Sequence, residues 1–189
     1  MKFPTVLILI SGALASCTAQ TPPASREIFD ERTASTFLVA GSPLVFARAR
    51  SDIAAHARDY ATLVPVEIDT SGDYGQYLIL YRWSTVDPRM SPPPGPAAGE
   101  LRILADGRVI DMKPLDTLPL GLEKRRELLV PNHGDVVPRA YKFDVETLNF
   151  IAGSRDITLR MPQETLDTPF TLWEDGRGAL KQFLQRAAP

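Results

Sequence analysis

The sequence predicts a strand-rich α+β domain, an antiparallel sheet or β-sandwich with a C-terminal amphipathic helix and one or two short helices. Three observations carry that prediction. The stretch LRILADGRVIDM, residues 101–112, sets Asp106-Gly107, a type I′ turn pair, between two short alternating runs. A two-residue turn there places Arg102 opposite Asp111, Ile103 opposite Ile110 and Leu101 opposite Met112, so that one face is apolar and the other pairs opposite charges. The runs LVPVEI and QYLILYRWSTV flank the turn-rich DTSGDYG and give a second hairpin. After Asp175, a suitable N-cap, Leu180, Phe183, Leu184 and Ala187 recur at i, i+3, i+4 and i+7, the spacing of one helix face.

The remaining elements follow along the chain. PLVFARAR reads as a strand, and SDIAAHARDY as either a helical turn or the start of a long strand. Pro65 lacks an N–H, which favours an edge position for its strand. In QYLILYRWSTV, Tyr77, Tyr81 and Trp83 fall on one face and Leu78, Leu80 and Val86 on the other, the latter interrupted by Arg82 and Ser84. Both faces are too apolar for one of them to stand in water. The C-terminal helix, with Leu180, Phe183 and Leu184, is the expected cover for the aromatic face, the alternative being a binding platform built on that face. Residues 87–100, DPRMSPPPGPAAGE, form a Pro-rich loop in which Pro93 and Pro96 make a PxxP spacing better explained as a connection than as a docking motif. Asp144 as a cap and Gly153 as a stop bound a short helix in DVETLNFIAG, and DITLRMP and PFTLW are further strands.

The N-terminus has a different character. Lys2 precedes an apolar stretch over residues 3–15, well short of the ~20 residues a spanning helix needs, so residues 1–16 read as a signal peptide. Its end, Leu14-Ala15-Ser16-Cys17, resembles the lipobox of bacterial lipoproteins. The resemblance implies that the Cys17 sulfur takes a diacylglycerol, that the signal is cleaved before it and that the new amine is acylated. A cysteine suits the step because a thiolate is a good nucleophile near neutral pH. Several acyl chains make a stable anchor at ~0.8 kcal/mol per buried CH₂. Asp after the lipidated cysteine is the inner-membrane retention signal of Gram-negative lipoproteins, so Thr18 implies the outer membrane. Residues 17–35 carry only Ile28 and Phe29 as large apolar side chains and read as a tether spanning on the order of 25 Å. Residues 36–189 are left as one globular domain. The stretch ARDYATLVPVEIDTSGDYGQYLILYRWSTVD, with TPFTLW and a terminal helix after it, is similar to small envelope lipoproteins of proteobacteria, a likeness that carries no known active site.

The chemistry narrows by elimination. With 21 basic and 23 acidic residues and a net charge of -2, the chain has no electrostatic footprint for nucleic acid. Acylation of Cys17, the one cysteine, leaves no thiol for disulfides, thiol catalysis or cysteine metal sites. His56 and His133 stand in no ligand spacing; His133, beside Asp135 in PNHGDVVP, reads as a solvated loop histidine sooner than as a general base. No GxSxG or SxxK serine signature occurs. Asp69, Ser71 and Asp73 alternate as in an EF-hand loop, but Tyr74 and Leu80 stand where glycine and glutamate are needed, so a hairpin turn is the better account. Lys124, Arg125 and Arg126 alternate with acidic residues on a solvated face. The expectation is an outer-membrane-anchored, non-catalytic envelope lipoprotein that binds a protein or a cell-wall or glycan partner. It has no predicted metal, cofactor or assigned ligand-binding residue. The alternative is a surface-anchored hydrolase with carboxylates or His133 assembled from distant positions.

Overall fold

A computed structural model describes residues 25–87, 89–90, 99–122, 137–164 and 168–187. Its spine is a long hairpin of β4 (Arg58–Thr70) and β5 (Asp73–Ser84), paired from Asp59↔Ser84 to Thr70↔Asp73. Ser71 and Gly72 turn it with φ of 57° and 91°, and the Asp69 carboxylate accepts the Gly72 N–H at 2.7 Å. Around it stand β1 (Ser25–Asp30), β2 (Ser35–Ala40), β3 (Leu44–Ala49), β6 (Leu101–Ala105), β7 (Arg108–Met112), β8 (Arg139–Lys142), β9 (Ile157–Arg160) and β10 (Phe170–Glu174). All pair antiparallel in the order β1-β2-β4-β3-β10-β9-β6-β7, with β5 and β8 on the other side of β4. Helices α1 (Val145–Gly153) and α2 (Arg177–Leu184) complete the α+β architecture.

Pro65 is not on an edge strand. One side of β4 pairs with β3 from Arg58 to Leu63 and with β2 from Val66 to Thr70, and Pro65 lies in the gap where one partner hands over to the other. A proline without an N–H is tolerated at such a break, which is why it can stand in a central strand. The tether expected over residues 17–35 is also corrected at its distal end. Residues 25–30 are β1, held in register on β2 with Ser25 opposite Ala40 and Asp30 opposite Ser35. Ile28 packs on the core beside Phe37, an apolar contribution too small to show in composition. Between β3 and β4, SDIAAHARDY resolves into turns followed by the first residues of β4.

The β6–β7 hairpin has the register its sequence predicts, with Asp106 and Gly107 at φ 45° and 83°. The Asp106 carboxylate also accepts the backbone N–H groups of Arg155 and Asp156 at 3.0 and 2.9 Å, which holds its carboxyl below the usual aspartate range. Gly107 has open space around its Cα, so a side chain there meets strain in the backbone alone. We expect Gly107→Val to cost about 1–2 kcal/mol, or roughly 2–8 °C in Tm, because a β-branched residue resists positive φ. Gly107→Asn should melt close to wild type. Equal melting of the valine variant and the wild type would mean that the turn carries no such constraint.

The sheet curls, because Leu78 and Leu80 of β5 share one core with Leu101 and Ile103 of β6, far away in strand order. Leu148 and Ile151 of α1 and Leu180 and Phe183 of α2 fill that core. The helix expected over the aromatic face of β5 therefore covers the opposite face. The aromatic face packs instead on Leu115, Leu118 and Leu122, in a second core with Phe37, Val66 and Tyr81. Local capping explains part of the placement of α2. Asp175, the expected N-cap, accepts the Arg177 backbone N–H at 3.0 Å and pairs with its guanidinium, while the cap position itself is Gly176, where a Cβ would run into the carbonyl oxygen of Pro43. Only glycine lets the helix start so close to the loop before β3. At α1 the expected cap is in place, with Asp144 accepting the Thr147 N–H at 2.7 Å.

Candidate functional site

The face of the β4–β5 spine that carries Tyr60 and Trp83 ends in an aromatic group. Tyr60 and Trp83 are direct cross-strand partners, and their rings stack at 3.9 Å between centroids and 5° between planes. The Trp83 indole N–H donates to the Thr62 hydroxyl at 3.4 Å. On the other side of Tyr60 the β3 partner is Ala47, whose small side chain leaves room above it. β10 pairs Thr171 with Ala47 and Glu174 with Val45, and the register shift between Leu172 and Glu174 makes Trp173 the extra residue of a bulge. Bulges re-aim side chains. Here the Trp173 ring meets Tyr60 edge-on at 6.1 Å and 80°, with the Arg58 guanidinium over it at 4.9 Å. Trp173 remains 53% exposed, whereas Tyr60 is 7% exposed. The result is an open indole that meets a stack of buried Tyr60 on half-buried Trp83 and is flanked by a cation. Such a surface can take the apolar face of a ring or a chain of C–H groups while its edges supply polar contacts.

The opposite face of the same strands carries buried charge. Arg48 of β3, 4% exposed, donates to Asp59 at 3.1 Å and to Glu164 at 2.8 Å, and its guanidinium lies over the Phe170 ring at 4.2 Å. Arg50 reaches Asp59 at 3.3 Å, the Ser84 hydroxyl donates to Asp59 at 2.9 Å, and Arg82 pairs with Glu164 at 2.5 Å. Burial lowers the Arg82 pKa, and the facing Glu164 carboxylate works against that shift. Beside this network the Tyr141 hydroxyl donates to the Gly99 carbonyl at 3.2 Å, and burial pushes its pKa up to about 12. Asp59 and Glu164 are two carboxylates brought together across the fold. Both are engaged by arginines, which suits a structural tie better than proton transfer.

The residues singled out in the sequence are scattered. Cys17, Thr18, His133, Asp135, Lys124, Arg125, Arg126, Pro93 and Pro96 lie outside the described residues. His56 is exposed in the turn before β4. Asp69, Ser71 and Asp73 shape the β4–β5 turn, and Leu80 is fully buried in the sheet, where it could not close a calcium loop. Among the described residues no group of three or more acidic, His or Cys side chains is placed to hold a metal. An open cavity of about 270 Å³ beside that turn is lined by Thr70, Tyr74, Tyr77, Leu120 and Lys142, among others. Trp173 was legible only as part of the strand PFTLW, since nothing in those letters marks a bulge. Arg48 did carry a signal, because the alternation in PLVFARAR puts it on the same side as Leu44 and Phe46. No protein-family model matches the chain, and neither the curated proteins nor the solved structures searched contain a match to it.

Proposed function

We propose that this protein is a lipid-anchored envelope protein of the outer membrane whose folded domain binds a cell-wall or other glycan partner without catalysing a reaction on it. The observation that carries the binding half is the exposed Trp173 indole, aimed by a bulge and backed by the Tyr60–Trp83 stack. A fixed aromatic surface binds with little loss of side-chain freedom, and tryptophan with a neighbouring arginine is the pairing enriched at binding hot spots. Pyranose rings offer a C–H face to such a surface and hydroxyls to Arg58 and Glu174 at its rim. The anchoring half rests on Leu14-Ala15-Ser16-Cys17 and Thr18. No helix among the described residues is long and apolar enough to cross a membrane, and acyl chains on Cys17 give attachment by another route.

Sedimentation with insoluble peptidoglycan tests the binding. Trp173→Ala should weaken capture roughly thirtyfold, from the ~2 kcal/mol that a hot-spot tryptophan contributes, with melting little changed because the ring is exposed. Capture equal to wild type would remove Trp173 from the site. For the anchor, Cys17→Ser should accumulate as the uncleaved, unlipidated precursor. An unmodified Cys17 thiol in the mature wild-type protein, read by mass spectrometry, would overturn it.

A further inference from the structure

The fold begins sooner after the lipid than composition suggests. β1 opens at Ser25, eight positions after Cys17, so the connection reaches at most about 29 Å even when fully extended. A domain of this size is about 40 Å across. The link is shorter than the body it holds, so with Cys17 acylated Ser25 stays within about 29 Å of the bilayer. Resting on the anchor reading above, we propose that the outer edge of β1 and the end of α2 dock against the headgroups of the membrane that holds the Cys17 acyl chains.

The surface suits that occupant. β1 ends the sheet order, so side chains on both of its faces reach a plane set against its edge. Phe29 is 59% exposed there, an apolar ring of the kind that can enter a headgroup layer. Arg186, just past α2, ties the start of β1 to the helix by donating to Ser25 at 2.6 Å and to Glu27 at 2.8 Å. Arg26, Arg32 and Arg186 are exposed on β1, in the turn after it and just past α2, against exposed Glu27 and Glu31 and the buried Asp30, in a chain whose net charge is -2. Exposed basic side chains outnumber exposed acidic ones by one here, while the chain is acidic overall. That is the sign that anionic headgroup phosphates select.

The mature lipidated protein, reconstituted into vesicles of phosphatidylethanolamine and phosphatidylglycerol, tests it directly. With Cys17 acylated, Phe29→Cys and Val109→Cys each supply a single thiol for a nitroxide label, the second on exposed β7 at the other end of the sheet order. The label at 29 should be severalfold more accessible to oxygen, relative to a water-soluble nickel chelate, than the label at 109. Arg26→Gln or Arg32→Gln should shift the label at 29 toward water by about fivefold in the docked-to-free ratio, and replacing phosphatidylglycerol by phosphatidylcholine should act in the same direction. Labels at 29 and 109 equally open to water, on protein that floats with the vesicles, would overturn the docking and leave the anchor standing. Protein that fails to float would overturn both.

Discussion

Replacing Arg48 by alanine is expected to lower stability by about 3–5 kcal/mol, read as a fall in Tm of roughly 6–20 °C. The guanidinium is buried and is shared by Asp59 and Glu164, which approach it from β4 and from the turn after β9. Without it, Asp59 keeps Arg50 at 3.3 Å and Glu164 keeps Arg82 at 2.5 Å, but each carboxylate loses a buried charge-assisted bond and the Phe170 ring loses its cation. Arg48→Lys should rescue little, because one ammonium cannot hold both carboxylates in the geometry of a planar fork. Arg48→Met combined with Asp59→Asn should recover part of the loss, since apolar or neutral replacements remove the unpaired charge. An alanine variant melting within about 2 °C of wild type would show that the network is not a structural tie.

The second large effect is expected at Gly176. A Cβ at this position meets backbone atoms of Ser42 and Pro43, which cannot rotate away. Gly176→Ala must therefore push the first turn of α2 off the loop before β3 and lift Leu180 and Phe183 from the core they fill. The cost should reach about 3 kcal/mol, the upper part of the range for overpacking, with a loss of near-UV circular dichroism as the aromatic core loosens. Gly178, two residues on, is the control. It is inside the helix with open space around it, so Gly178→Ala should stabilise by about 0.5–1 kcal/mol. Opposite signs from the same substitution two positions apart separate steric approach from helix propensity, and a neutral result at 176 would refute the contact.

Strand identity and local pairing were legible where one residue type decides the outcome. Asp106-Gly107 fixed a register that the alternating runs on each side could confirm independently, and Asp144 capped its helix through its own carboxylate. Long-range partnership was not legible in the same way. The apolar stripe of α2 states that the helix needs a face, not which one, and two faces of β5 offered comparable area. Pro65 shows the same limit, because the missing N–H demands a break in pairing that an edge strand or a change of partner satisfies equally. At the candidate site, Trp83 could be placed on a strand from alternation alone, whereas Tyr60 ends SDIAAHARDY, whose letters suit a helical turn as well as a strand. Trp173 could not, since its direction depends on a one-residue register shift against β3. Glu164 belongs to no regular element, so its ion pairs with Arg48 and Arg82 had no periodicity to announce them.

The position of β10 has a consequence for the order of assembly. It is the last of the described strands, yet it alone joins β3 to β9, so until residues 170–174 arrive the two groups of strands meet only through the isolated bridge of Pro114 with Tyr141. Before then β3 and β9 each expose an unpaired edge, the kind of template on which chains associate. Closure across so long a separation is slow compared with hairpin formation. A nascent chain would therefore hold its hairpins early and its continuous sheet late, and a chain cut before Phe170 would retain most of its strands while lacking the one that joins β3 to β9.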